Sequence, residues 1–168
     1  MCSLCEDAEF GHGNIAVVSR PAHQLAGLRW TGSLEWADRG GFDSAQQTVR
    51  DFSSRRTALW KSPIVVLASV RNSADCSYFI GIVADDDEQI PAEFEQLRID
   101  EMDFAALSLG HQGSDIVEQY SRLRAWVDDG EYNVADVGYG LREEYAHDVE
   151  IQGARPLRLM LPVVLRQR

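Results

Sequence analysis

The residues with the most chemical scope stand together in one short stretch, Gly140-Leu141-Arg142-Glu143-Glu144-Tyr145. As a strand it sends Glu143 and Tyr145 to one face and Glu144 to the other, because successive side chains alternate. A carboxylate beside an aromatic ring on one strand face is a candidate for the inside of a ligand pocket. The expectation is that Glu143 enters a ligand pocket while Glu144 faces water. A slip of one residue in register would exchange their roles.

The elements that must position this strand follow from apolar spacing. Residues Ile15 to Trp30 carry two apolar runs parted by Pro21, which cannot donate to a ladder, so a strand broken or bent there is expected. A loop with Trp36 and Gly40-Gly41 leads to Phe42, Ala45, Val49 and Phe52, spaced three and four apart, with Asp43 and Ser44 available as caps. That spacing predicts a helix running to about Leu59 or Trp60. Pro63 stops it, and Ile64 to Val70 and Cys76 to Val83 form a hairpin about a polar turn. The same order then returns: an extended segment near Leu97 to Leu109, a helix over Ser114 to Val127 ending at Asp129-Gly130, and strands near Val137 to Tyr145 and Leu157 to Leu165. Leu28-Arg29-Trp30-Thr31-Gly32-Ser33 lines up with Leu109-Gly110-His111-Gln112-Gly113-Ser114, an offset of 113 − 32 = 81 residues. We therefore expect an α+β fold of two βαββ halves, about 15–90 and 91–168, related by a pseudo-twofold axis. An antiparallel sheet carries the two main helices, and residues 1–14 form a flexible leader.

Composition narrows the function. The chain has 168 residues, 45% of them apolar, enough for one domain with its own core. A net charge of −11 with scattered Lys and Arg argues against direct nucleic-acid binding, which draws its affinity from clustered cations. The run Asp85-Asp86-Asp87-Glu88 is expected to be a solvated loop. Cys2, Cys5 and Cys76 make neither a disulfide framework nor a zinc site, so no metal is expected and a reducing cytoplasm fits. The sequence shows no signal-peptide pattern and no apolar run long enough to span a bilayer, so no membrane partner is expected.

The order of elements, the Tyr78-Phe79-Ile80-Gly81-Ile82 strand, the His111-Gln112-Gly113 segment, Trp126, the Glu143-x-Tyr145 strand and the closing Leu161-Pro162-Val163 together resemble the GyrI-like small-molecule-binding family. The resemblance covers about residues 15 to 165. That family includes effector-binding domains of AraC-type and MerR-type multidrug regulators and free-standing members. It implies the GyrI-like (SHS2-type) fold and a pocket between the halves in which a glutamate, here Glu143, meets lipophilic cations among aromatic residues. The ligand-binding set expected on this basis is Glu143, Tyr145, Tyr78, Trp36, Trp60, Trp126 and His111, with no cofactor. Because no helix-turn-helix pattern flanks the segment, a free binding protein is expected, or one acting through a partner protein.

Two other readings stand beside this one. Some free-standing members resemble hydrolases of electrophilic small molecules, which would make Glu143 the group that orients or deprotonates water, with Tyr145 or Tyr78 donating to the leaving atom. The family's name-giving member inhibits DNA gyrase, which implies a protein-interaction module. Haem binding, suggested by a related duplicated fold, would need His111 on an apolar wall, where a turn or capping histidine is the commoner occupant.

Overall fold

The computed structural model describes residues 13–56, 62–109, 115–147 and 155–167. Among them, β1 (Ile15–Arg20), β2 (His23–Gly32), β3 (Ile64–Asn72), β4 (Asp75–Ala84), β5 (Glu95–Ile99), β6 (Met102–Ser108), β7 (Tyr132–Val134), β8 (Leu141–Tyr145) and β9 (Arg158–Leu165) form one sheet. Three helices accompany it: α1 (Leu34–Asp38), α2 (Asp43–Arg55) and α3 (Ile116–Asp129). The strand order is β1-β6-β9-β8-β3-β4-β2-β5, with β7 added on β9, and every pairing is antiparallel.

That order is a palindrome about the β8–β3 pair. β2, α2, β3 and β4 in the first half answer to β6, α3, β8 and β9 in the second, so the duplicated βαββ architecture expected from the sequence is present. The leading strands are exchanged between the halves, β1 pairing with β6 and β5 with β2. Pro21 therefore does more than bend a strand: it separates two strands that lie six places apart in the sheet.

This exchange forces the sheet to curl. On a flat sheet β1 and β2 would stand ~29 Å apart at ~4.8 Å per strand, yet only Pro21 and Ala22 join them, a span of at most ~11 Å. Asp100 and Glu101 make the equivalent link from β5 to β6. Two short links at symmetric positions thus draw the edges together into a half-barrel. Gly27 and Gly81 face each other directly across β2 and β4. A Cβ at Gly27 would come within 1.9 Å of the Ile80 carbonyl, so this close approach requires glycine.

The two faces of the curl bury different things. On the outer face α2 lays Phe42, Ala45, Val49 and Phe52 over β2 and β4, against Ala26, Ile80 and Ile82. Likewise α3 lays Ile116, Tyr120, Leu123 and Val127 over β6, β7 and β9, against Ala105, Leu107 and Leu161. On the inner face the strands bury one another: Leu25, Val65, Leu67 and Phe79 form one cluster and Phe104, Ala106 and Met160 another, with Tyr139 touching both.

Some boundaries differ from expectation. α2 ends at Arg55 because Arg56 turns to extended backbone at ψ 139°, four residues before the expected stop. Its N-cap is Phe42, with no side-chain hydrogen bond, so neither Asp43 nor Ser44 serves. α3 starts at Ile116 behind the Asp115 cap and stops at Gly130 as expected. Trp36 lies in the short helix α1, not a loop, and the segment 137–140 is a loop before β8. The Asp85 to Glu88 run is only partly solvated, for Glu88 takes two hydrogen bonds from Arg56 at 2.5 and 2.6 Å.

Candidate functional site

Since α2 packs chiefly on β2 and β4 and α3 on β6, β7 and β9, the strands β8 and β3 run between the two helices on the outer face. They lie at the pseudo-twofold axis, where Ile64, Val66 and Tyr145 join the apolar cluster under α2 and Leu141 packs against the cluster under α3. The register puts Glu143 opposite Val66 and Tyr145 opposite Ile64, so both share the outer face with Leu141. Tyr145 Oη donates to Glu143 Oε2 at 2.7 Å. The Glu143 carboxylate has no other hydrogen bond and no ion pair among the described residues. Burial pushes the Glu143 carboxyl above the usual carboxylate value, an effect the Tyr145 hydroxyl partly offsets. The Tyr145 phenol is itself pushed well up, first by burial, then by the Glu143 carboxylate and Tyr78.

An aromatic wall adjoins this pair. Tyr78 stacks on Phe42 with ring centroids 5.1 Å apart at 16°, and Trp30 stands 5.9 Å from Phe42 and 5.8 Å from Tyr78. Three elements contribute, β2, β4 and the start of α2. Between Tyr78 and Leu141 stands the short Ala68, which pairs with both. The arrangement offers one carboxylate without a cation, two phenols and an aromatic face, the chemistry of a site for a hydrophobic positive charge.

Of the expected site residues, Glu143, Tyr145 and Tyr78 share this outer face. Trp36 does not join them: it is 59% exposed and its indole covers Gly41. Trp126 also lies elsewhere, in a cleft with Asp129, Gly130, Glu131 and Tyr132 at the end of α3. Leu123 and Val127 point to the sheet there, leaving position 126 turned aside. Trp60 and His111, and the Cys2 and Cys5 pair, lie outside the described residues. Trp30 and Phe42 were missed as wall residues. The alternation of Leu28 and Trp30 is visible in the sequence, but their partner strand is not.

Glu144 is the clearest correction. It does leave β8 on the opposite face, as alternation demands, but that face is the inside of the curl and Glu144 is fully buried. Arg142 binds its Oε2 through Nε and Nη2 at 3.1 and 2.9 Å. Arg158 Nε and Arg20 Nη2 bind Oε1 at 2.9 and 3.2 Å. Arg142 Nη1 also donates to His23 Nε2 at 2.8 Å, so the other ring nitrogen, Nδ1, donates to the Pro21 carbonyl at 2.8 Å. That tautomer is neutral imidazole. Burial above all, then Arg142, brings the His23 pKa down to about 4. Burial alone would raise Glu144, but Arg142, Arg20 and Arg158 outweigh it and hold the carboxyl at about 2. Arg20 reaches Glu144 from three strands away on one side, and His23 reaches Arg142 from three strands away on the other, which only a curled sheet permits.

Among the described residues no group of three or more His, Cys, Asp or Glu side chains is placed to hold a metal ion. No described helix is long and apolar enough to cross a membrane.

A curled antiparallel sheet with two helices on one face is the GyrI-like fold. No family model matches the sequence, and no curated protein matches it. Solved structures do match in shape. SAV2435 bound to tetraphenylphosphonium superposes with a TM-score of 0.65 at 14% identity, over 90% of this chain and 94% of that one. The EcmrR C-terminal domain gives 0.64 at 15% identity, over 91% and 98%. A hydrolase from Listeria innocua gives 0.55 at 11% identity, over 95% and 96%.

Proposed function

We propose that this chain binds lipophilic cations on the outer face over β8 and β3, with Glu143 as counter-ion. Tyr145 orients the carboxylate, and Tyr78, Phe42 and Trp30 provide aromatic surface for the ligand's apolar body. The observation that carries this reading is Glu143 itself, a carboxyl pushed upward by burial, held by one phenol and meeting no cationic side chain among the described residues. A cation bound beside it would supply the missing charge and favour ionisation. The bound tetraphenylphosphonium in SAV2435 supports the choice of ligand class. The fold shared with the EcmrR C-terminal domain supports a sensing role, in which ligand binding is the signal in a cytoplasmic drug or metabolite response. Such a role would reach transcription through a partner protein.

The test is calorimetric titration with tetraphenylphosphonium. Binding to the parent protein and a loss of tenfold or more in Glu143→Gln, about 1.4 kcal/mol or above, is the expected result. Equal affinity in parent and variant would remove Glu143 from the site.

A second reading rests on the 2.7 Å bond between Tyr145 and Glu143. A raised carboxyl beside a phenol has the makings of a base that takes a proton from water while the phenol donates to a leaving atom. The shared fold with the Listeria innocua hydrolase is compatible with it. Incubation with epoxide or cyclopropane electrophiles and mass spectrometry decides the matter: hydrolysis no faster than in Glu143→Gln rejects catalysis.

A further inference from the structure

On the other side of the same strands the loop 135–140, between β7 and β8, lies over the inner face of the sheet. Gly138, at φ +89°, makes its turn, and Tyr139 tucks against the inner face with its hydroxyl 3.4 Å from Met102 Sδ. The loop is tied at both ends, for the Ala135 amide donates to the Pro162 carbonyl and the Gly140 amide to that of Ala68. Between this loop and strands β2 to β5 is a cavity of ~220 Å³. Leu67 on β3 and Leu97 and Ile99 on β5 give it an apolar floor, and Val137 and Tyr139 stand on the loop side. Ser69 and Ser77, paired directly across β3 and β4, add two hydroxyls.

The charges around this cavity are already matched. Arg29 holds Glu95 through Nε and Nη2 at 3.1 and 3.0 Å and lies over the Phe79 ring, 5.8 Å from its centroid. Because Leu97 and Ile99 face the cavity, alternation turns the Arg98 side chain between them to the opposite face. A ligand of either charge would give up hydration here without meeting a counter-charge, which is costly. The hydroxyls are less committed. Among the described residues Ser77 Oγ meets only Arg29 Nη1, at 3.5 Å, and Ser69 Oγ has no hydrogen bond. Side chains directly opposite in an antiparallel pair have Cβ atoms ~5 Å apart, so one ligand oxygen between them reaches both hydroxyls.

We propose that this cavity is a second ligand site, for a small neutral aromatic molecule carrying one hydroxyl group. Its rings lie between Leu67, Leu97 and Ile99 on the sheet and Val137 and Tyr139 on the loop. Its hydroxyl sits between Ser69 and Ser77, donating to one and accepting from the other. An apolar cavity of ~150 Å³ takes a benzene ring, so ~220 Å³ fits one or two rings. With so small a contact the affinity is modest. Because Val66 and Tyr78 point outward while their neighbours Leu67 and Phe79 point inward, the site is separated from Glu143 by the thickness of the sheet. The two sites therefore fill independently.

The probe is 2-naphthol, titrated by calorimetry against the full chain. A Kd of about 0.1–1 mM is expected. The charged counterparts 2-naphthoate and 2-naphthylmethylammonium bind at least about tenfold more weakly, for want of a counter-charge. Ser69→Ala combined with Ser77→Ala weakens 2-naphthol at least about fivefold by removing both hydrogen bonds. Val137→Trp, at an exposed position of the loop, fills the cavity and abolishes binding. Glu143→Gln leaves the Kd unchanged, as does saturating tetraphenylphosphonium. Absence of binding at about 2 mM overturns the site. So does equal affinity for a charged counterpart, a parental Kd in the double serine variant or in Val137→Trp, or loss of binding in Glu143→Gln or with tetraphenylphosphonium.

Discussion

Glu143 and Glu144 are one bond apart in the chain and occupy opposite environments. On the outer face Glu143 sits on the strand between the two helices, its carboxylate holds a single hydrogen bond, from Tyr145, and it is pushed upward by burial. On the inner face Glu144 receives four hydrogen bonds from three arginines and is held at about 2. One carboxylate is left short of a partner and the other is saturated with them. The difference separates a group whose charge awaits a ligand from a group whose charge the fold consumes: the outer acid costs stability, while the inner one ties β1, β8 and β9 across the curl.

The comparison breaks most readily at the inner acid. Glu144→Gln removes the charge opposite Arg142 and Arg20, both fully buried, and should destabilise the protein by about 3–5 kcal/mol in denaturant unfolding. Glu143→Gln should leave stability at pH 7 equal or higher. Equal losses in the two variants would end the distinction.

Acid titration sharpens it further, because the faces respond with opposite sign. His23 titrates near 6.5 when unfolded and about 4 when folded, so its contribution is whole above 6.5 and is lost as pH falls through 4. On its own this limb amounts to about 3 kcal/mol, and Glu144 extends the loss from 4.5 toward 2. Glu143, raised on folding, contributes the other way: its protonated form favours the folded state at low pH and the contribution is lost as pH rises through its folded value. Unfolding measured from pH 7 to 4 should steepen in Glu143→Gln and flatten in His23→Gln.

A smaller effect is expected at the phenol. Tyr145→Phe removes the donor to Glu143 and should cost about 1 kcal/mol or less. The pH at which tetraphenylphosphonium binding reaches half its maximum should move upward, since the carboxylate loses its stabilising hydrogen bond. Least of all, Trp36→Ala should change cation affinity less than twofold, because the indole lies on Gly41 outside the aromatic wall. A tenfold loss there would enlarge the site to include α1.

Much of this was legible in the residues, for physical reasons that also mark where legibility stopped. The spacing of Phe42, Ala45, Val49 and Phe52, and of Ile116, Tyr120, Leu123 and Val127, records which helix face meets the sheet, since burial selects apolar side chains at one period. α1 left no such record because five residues are too few for a period. Alternation correctly separated Glu143 from Glu144, a local property of any strand. What lies on each face is not local. The burial of Glu144 follows from the two-residue links at Pro21-Ala22 and Asp100-Glu101, which close the sheet and turn its second face into an interior. The pairing of Trp30 with Tyr78, like the removal of Trp36 and Trp126 from the aromatic wall, is a matter of which strands and turns meet, and chain order does not state it. The sequence by itself determined the two main helices, most of the strands, their duplication and the address of one acid on a strand. Only the tertiary structure decided that its neighbour is buried, because curvature is a property of the whole sheet.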